Sequence, residues 1–104
     1  MRRSIISDYI VEPLEGDKEF KGQYNLKTRS KILRQVLTTS SVPIWEERRG
    51  IDPRGHYNDF IWNCRDREGR RAPPDKYKMV VYAEDADRPD IGKDTKETQI
   101  VVTK

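Results

Sequence analysis

The most informative part of the sequence is Trp62-Asn63-Cys64-Arg65-Asp66-Arg67-Glu68-Gly69-Arg70-Arg71-Ala72-Pro73-Pro74-Asp75-Lys76-Tyr77. Within it, Trp62 supplies a large apolar side chain for a core, and Asp66 can accept hydrogen bonds from turn amides. Gly69 supplies the positive φ angle that a chain reversal needs. These tasks are structural, so the stretch predicts a fold more directly than it predicts an activity.

Segments of alternating polarity lie on both sides of this stretch. Residues 57–64 place Phe60, Trp62 and Cys64 on one face, as a strand with one buried face would. Residues 77–83 alternate in the same way and follow a turn-rich connection. We therefore expect the two segments to pair as a β-hairpin.

The rest of the chain is divided by glycines and prolines into short segments, which favours strands. Residues 31–38 are ambiguous from periodicity alone, because their apolar residues have helical spacing but the run is short and β-branched. Pro43 would confine its strand to the edge or the start of a sheet. The remaining expected elements are strands at 5–11, 24–26, 42–46 and 98–103, a turn at 15–17, a polar loop at 46–55 and a long loop at 85–97.

The chain length and the number of strands bound the architecture. A chain of 104 residues fits a single domain, 1–104, in which 1–23 provide an N-terminal strand and turn. About seven short strands in a domain of this size are typical of an antiparallel β-sandwich. The fold class predicted from the sequence is therefore all-β.

The stretch at 62–77 resembles the immunoglobulin-like domain at the C-terminus of flagellar hook-capping proteins, the FlgD type, which has relatives among bacterial secreted and surface proteins. That family carries Trp-Asp-Gly-x-Asp-x-x-Gly, then Pro-x-Gly-x-Tyr and an alternating strand. The resemblance covers 24–85, and it implies an immunoglobulin- or fibronectin-like sandwich in which 31–38 is a strand. The matching positions are Trp62, Asp66, Gly69, Pro73, Tyr77 and Ala83.

Three positions depart from the family pattern. Asn63 stands where Asp is usual, and Cys64 and Asp75 stand where the family has glycines. Because Asp accepts a left-handed backbone better than most residues, Asp75 is expected to make a tight turn before its strand. The side chain of Cys64 indicates either a wider core or a strand geometry that needs no glycine.

The sequence offers little for catalysis or for a cofactor. The only histidine, His56, and the only cysteine, Cys64, exclude an internal disulfide, a two-histidine zinc site and a multi-cysteine metal site. In an extended strand these two residues would lie more than about 20 Å apart, too far for a direct dyad. We expect no enzyme activity and no cofactor, with a buried role favoured for Cys64 over a reactive thiol.

An acidic loop is a candidate site for calcium, which prefers several carboxylate oxygens. Its spacing does not match an EF-hand, and Arg88 and Lys93 would compete for the same carboxylates. A solvated connection is the favoured interpretation. The aspartates concerned are Asp85, Asp87, Asp90 and Asp94.

A formal net charge of +3, from 21 Lys and Arg against 18 Asp and Glu, weakly favours anionic partners. Two arginine-rich segments are expected in loops, and if these loops shared one end of the sandwich they would form a basic rim for nucleic acid or another polyanion. Interleaved acids favour a locally neutralised surface instead. The candidate anion-binding residues are Arg48, Arg49 and Arg54 in the first segment and Arg65, Arg67, Arg70 and Arg71 in the second.

Protein contact is the function that the resemblance implies. Trp45 and Tyr82 are the aromatic residues that we expect to be exposed for such a contact, and an open sheet edge near Pro43 would allow strand addition. The family points to a non-catalytic interaction or spacer module of a secreted, periplasmic or surface assembly. The alternative is a small basic domain that binds polyanions through the arginine-rich loops.

The first residues do not match a signal peptide, and no apolar segment is long enough to span a membrane.

Overall fold

The computed structural model describes residues 4–14 and 18–103. These residues form seven β-strands and no helix, so none of their segments is a helix able to cross a membrane. The all-β prediction is confirmed, and 31–38 belongs to a strand. The strands are β1 (Ile6–Pro13), β2 (Phe20–Leu26), β3 (Ser30–Thr38), β4 (Pro43–Asp52), β5 (Gly55–Trp62), β6 (Asp75–Asp85) and β7 (Lys93–Val102).

The strands form two antiparallel sheets. The three-stranded sheet has the order β1-β2-β5, and the four-stranded sheet has the order β4-β3-β6-β7. The inward faces of both sheets supply one hydrophobic cluster, so the predicted sandwich is confirmed. Phe60 and Trp62 of one sheet and Val36 and Met79 of the other have no solvent exposure. Burying large rings is how a chain with only 34% hydrophobic residues obtains a core.

The expected hairpin between 57–64 and 77–83 is wrong. β5 pairs with β2 in the three-stranded sheet, whereas β6 pairs with β3 and β7 in the other. The stretch between them is therefore a connection from one sheet to the other. Within it, Arg65 and Arg71 pair through an isolated antiparallel β-bridge. Alternation identifies the buried face of each strand, but it carries no information about which strand is its neighbour.

Two segments expected to be loops are largely strands. β4 continues to Asp52 through the expected polar loop at 46–55, and β7 begins at Lys93, so the expected loop at 85–97 shrinks to 86–92. Both strands lie at sheet edges, where charged residues are common because they discourage pairing with other chains. Pro43 begins the edge strand β4, as predicted. The turn expected at 15–17 lies outside the described residues.

The two positions where glycine is usual behave differently. Cys64 lies just after β5 with a φ angle of 61°, the left-handed conformation that glycine adopts without cost. The expected strand geometry that needs no glycine is therefore wrong, because the cysteine keeps a glycine conformation and adds a buried thiol. Asp75 begins β6 without a positive φ, so the left-handed turn expected there is also wrong.

Candidate functional site

The connection between the sheets is held by hydrogen bonds from its own residues. The indole Nε1 of Trp62 donates to the Arg65 carbonyl over 2.8 Å. The Oδ1 atom of Asp66 accepts from the backbone amides of Glu68 and Arg70, each over 2.9 Å. The Arg70 amide is the main cause that holds the pKa of the Asp66 carboxyl below its usual value. Asp66 thus stabilises the turn as an ionised acceptor.

A tyrosine-to-proline hydrogen bond ends this connection. The Tyr77 hydroxyl donates to the Pro73 carbonyl over 2.6 Å, and burial raises the pKa of Tyr77. The same contact occurs before β5, where the Tyr57 hydroxyl donates to the Pro53 carbonyl. Each pair is four residues apart and holds the turn before a strand. The same spacing, proline followed four residues later by tyrosine, is visible twice in the sequence.

Arg48 and Arg49 lie in strand β4, and their expected placement in a loop is wrong. Arg48 has a side chain that is 74% exposed and pairs with Glu46 over 3.2 Å. Arg49 is only 20% exposed and points to the other side of the strand, toward the space between the sheets. The two neighbouring cations therefore do not share a surface.

The other candidate arginines lie at opposite ends of β4. The Arg67 amide donates to the carbonyl of Ile44 at the beginning of β4, whereas Arg54 follows the end of that strand. Arg70 pairs with Glu68 over 2.7 Å, so part of its charge is neutralised locally. The structure thus separates the two arginine-rich segments that a single basic rim requires. The remaining loop arginines, Arg65 and Arg71, are exposed.

The two aromatic residues expected to be exposed are both partly buried. Trp45 stacks on Phe60, with ring centroids 5.9 Å apart, and so belongs to the margin of the core. Tyr82 lies on the outer face of the four-stranded sheet, beside Leu33 of the neighbouring strand. An open cleft of about 310 Å³ lies there. We call this surface the Tyr82 face: Leu33 and Tyr82 form its centre, and its lining also includes Lys31, Arg48 and Thr95.

A charged cluster that was not predicted from the sequence lies between the sheets, and it is called the seam cluster here: Arg34, Glu47, Arg49, Asp52 and Asp59. Arg34 of β3 has no solvent exposure, and it donates to Glu47 of β4 and to Asp59 of β5, each over 2.9 Å. Arg49 donates to Asp52 over 2.6 Å. Arg49 also pairs with Asp59 over 3.4 Å, so this pair and the two contacts of Arg34 tie the edge strand of one sheet to the edge strand of the other.

Aromatic rings surround the buried guanidinium of the seam cluster. Its central carbon lies 5.1 Å from the ring centroid of Phe60 and 6.0 Å from that of Tyr24. Burial raises the pKa of Tyr24 to about 12. Burial also acts to raise the pKa of Asp59, but the hydrogen bond and charge of Arg34 outweigh it and hold that pKa below its usual value. The cluster can clamp two strands.

A signal for this cluster is present in the alternation of β3. Arg34 lies between Ile32 and Val36 at a spacing of two, which is an inward position on a strand. A charged residue at an inward position requires oppositely charged partners. The sequence does not tell which of its many acids supply them, because the partners come from two other strands.

His56 and Cys64 lie at opposite ends of β5. His56 is exposed at the start of the strand, and Cys64 is 3% exposed beyond its end. A dyad of these two side chains is not formed.

The aspartates of the expected acidic loop form hydrogen bonds with different partners. Asp85 accepts hydrogen bonds from the amides of Asp87 and Arg88, and Asp94 accepts from the N-terminal segment at Ile5. In 4–14 and 18–103, no group of three or more His, Cys, Asp or Glu side chains is arranged to hold a metal ion. Asp85 and Asp94 thus act as acceptors for backbone amides, whereas Asp87 accepts from the Arg29 side chain over 3.0 Å.

Comparisons with known proteins agree with this architecture. No protein-family model and no curated protein matches the sequence. Among solved structures, the chain is similar to the crystal structure of FlgD from P. aeruginosa, with a TM-score of 0.63, over 95% of this chain and 78% of that chain. Sequence identity is 18%, so the likeness concerns the fold. The chain therefore has an FlgD-like β-sandwich fold.

Proposed function

We propose that this chain is a non-catalytic module that makes protein contacts, or spaces larger parts, in a secreted, periplasmic or surface assembly. The observation that carries the proposal is the likeness to FlgD, which extends over 95% of the chain. The residues Trp62, Asp66 and Tyr77 add support, because they match the pattern of the flagellar hook-capping family that the sequence resembles. An extracytoplasmic location is part of the same proposal.

The Tyr82 face is the surface that we propose for this contact. Tyr82 is partly exposed beside the aliphatic side chain of Leu33, and an aromatic ring on an open sheet face provides contact area at a small cost in side-chain entropy. Lys31 and Arg48 stand at the margin of this apolar centre. A partly apolar centre with a charged margin is the usual composition of a protein interface.

A site-specific photo-crosslinking experiment tests this proposal. A photoreactive phenylalanine analogue replaces Tyr82 in one variant and the exposed Ile61, on the other sheet, in a matched control. Expressed in the source organism, the Tyr82 variant should crosslink to a defined protein, and excess unmodified chain should compete it away. Equal crosslinking from both positions, or none from Tyr82, contradicts the proposal.

The non-catalytic part of the proposal has its own test in Cys64. Since this thiol is 3% exposed, a disulfide reagent should modify it only under unfolding conditions. Modification of the folded protein at the rate of a free thiol would contradict a structural role.

Polyanion binding through the arginine-rich segments remains the alternative function, and it finds less support. Arg54 and Arg67 lie at opposite ends of one strand, and several arginines pair with neighbouring acids. Anisotropy of labelled oligonucleotides at several salt concentrations separates the two functions. The alternative would be favoured if the logarithm of the binding constant falls linearly with the logarithm of the salt concentration, and if binding weakens in a variant with Arg70→Ala and Arg71→Ala.

A further inference from the structure

A second cleft opens at one end of the three-stranded sheet, on the other sheet from the Tyr82 face and beside the turn between β4 and β5. It has a volume of about 580 Å³. Its lining contains Lys27, Arg54 and His56 and no carboxylate. Within the described part of the chain, no ion pair engages any of these three side chains. The complete lining is Asn25, Leu26, Lys27, Arg54, Gly55 and His56.

A chain of hydrogen bonds across three strands fixes the imidazole in this cleft. The Nδ2 atom of Asn25 donates to Asp8 Oδ2 over 2.9 Å, and this contact turns Asn25 Oδ1 toward His56. The Nδ1 atom of His56 donates to that oxygen over 2.7 Å. Among residues 4–14 and 18–103, no hydrogen bond engages the other ring nitrogen, Nε2, which can therefore face a ligand.

The backbone that carries the three basic side chains is also fixed. Asp8 has a φ angle of 54° at an irregularity in the β1–β2 register, a left-handed conformation that Asp tolerates, and its carboxylate contacts Asn25. The Lys27 amide donates to the Ile5 carbonyl over 2.9 Å. The turn that carries Arg54 is held by the hydrogen bond from Tyr57 to Pro53. The cations therefore surround the cleft without a large ordering cost for the backbone.

We propose that this cleft binds a tetrahedral oxyanion, a phosphate or sulfate group, through Lys27, Arg54 and His56. A guanidinium offers two parallel N–H donors to an oxyanion, and an ammonium offers a compact charge. His56, whose Nδ1 faces Asn25, can donate from Nε2 to an oxyanion when the ring carries both protons. The site lies on the other sheet from the Tyr82 face and does not depend on the protein-contact proposal.

Titration with inorganic sulfate, followed by NMR of the ¹⁵N-labelled chain, tests the proposal. Sulfate keeps its charge between about pH 5.5 and about pH 8, whereas histidine side chains change theirs in this interval. Resonances of Lys27, Gly55 and His56 should shift in a saturable manner, with a dissociation constant of about a millimolar. Binding should be several-fold tighter at the lower pH. The charged and polar groups that face His56 in this titration are Asp8, Asn25, Lys27 and Arg54.

Matched variants separate a site from general attraction to a basic protein. Arg54→Gln should weaken sulfate binding about tenfold, and His56→Gln should abolish the difference between the two pH values. Arg88→Gln is the control, because it removes the same charge from an exposed loop on the other sheet. Thermal unfolding of each variant should match the parent protein, since both arginines are exposed.

Three results would overturn the proposal: no saturable shift at the cleft, equal weakening by Arg88→Gln, or shifts distributed over the whole surface. Two further ligands identify the source of the group once sulfate binds. A sulfated disaccharide that binds more tightly than sulfate points to a glycan, and a dinucleotide that does so points to a nucleic acid. Equal affinity for all three points to the free ion.

Discussion

A single residue, Cys64, carries a conformation that its type disfavours. Its φ angle of 61° lies in the left-handed region, which costs a residue with a side chain about 1–2 kcal/mol relative to glycine. Packing of the buried thiol offsets part of this unfavourable conformational energy. The sequence resemblance identified the position as unusual, but residue type alone predicted the wrong backbone geometry.

Two substitutions of Cys64 separate backbone strain from packing. Cys64→Gly and Cys64→Ala both remove the thiol, but only glycine removes the strain. We expect the glycine variant to be more stable than the alanine variant by about 0.5–1 kcal/mol in urea unfolding. The order should reverse at a control position with ordinary backbone geometry, where Ala72→Gly should destabilise the protein. A less stable glycine variant at position 64 would contradict the strain.

Other residues differ in how far their role followed from the sequence. The roles of Trp62 and Asp66 depend on local chemistry, a large ring for the core and a carboxylate beside turn amides, so residue type was sufficient. Arg34 and His56 act through partners on other strands. Their contacts depend on register between distant segments, which one sequence does not contain.

At the scale of elements, alternation was a good guide to strands and a poor guide to their partners. Residues 57–64 and 77–83 were correctly assigned to strands with a buried face, yet they belong to different sheets. The edge strands β4 and β7 were underestimated, because their polar residues resemble loops. A hydrophobic pattern is weakest where one strand edge faces solvent and side chains pair across the surface.

One carboxylate links the N-terminal segment to β7. The Oδ2 atom of Asp94 accepts from the amides of Ile5 and Ile6, over 2.9 and 2.8 Å. We expect Asp94→Ala to destabilise the protein by about 1–3 kcal/mol, because two amides lose their acceptor. Hydrogen exchange at Ile5 and Ile6 should accelerate in particular.

Two further variants control this prediction. Asp94→Asn keeps a carbonyl acceptor and should have a smaller effect than Asp94→Ala. Asp90→Ala, at an exposed position of the adjoining loop, should leave the exchange of both amides unchanged. Unaltered protection of Ile5 and Ile6 in Asp94→Ala would show that the carboxylate does not hold the segment.

At the scale of the whole molecule, the sandwich has two lateral seams that are closed by different chemistry. The β1–β7 side uses the Asp94 carboxylate and backbone amides. The β4–β5 side uses the seam cluster, in which Arg34 is fully buried while its partners Glu47 and Asp59 remain 39% and 53% exposed. Charged groups thus take the place of apolar residues that a chain of this composition lacks.

The size of Arg34 contributes to stability separately from its charge. Arg34→Ala should destabilise the protein by about 2–4 kcal/mol, mainly through the cavity it leaves, because Glu47 and Asp59 can be hydrated. Arg34→Met restores most of the volume and should recover at least about 1 kcal/mol of that loss in urea unfolding. Equal stability of the two variants would show that packing is not the larger contribution.

The free energy of unfolding at acidic pH depends on the charges of the seam cluster. In the folded protein the pKa of Asp59 lies below its ordinary value, because the hydrogen bond and charge of Arg34 outweigh the effect of burial. As the pH falls, Asp59 therefore takes up a proton at a higher pH in the unfolded chain than in the folded protein. The stabilisation from Asp59 is therefore complete above about pH 4, the usual carboxyl range, and is lost as the pH falls through the folded pKa. Arg34→Met removes the hydrogen-bond donor and leaves only the charge of Arg49 near Asp59, so the free energy of unfolding of this variant should decline less steeply than that of the parent between about pH 5 and about pH 2.5. Asp66 also has a lowered pKa, but its acceptor contacts lie in the inter-sheet connection and are the same in both proteins, so its contribution cancels in the difference. Identical acid slopes for the two proteins would mean that the Arg34–Asp59 pair does not stabilise the β4–β5 seam.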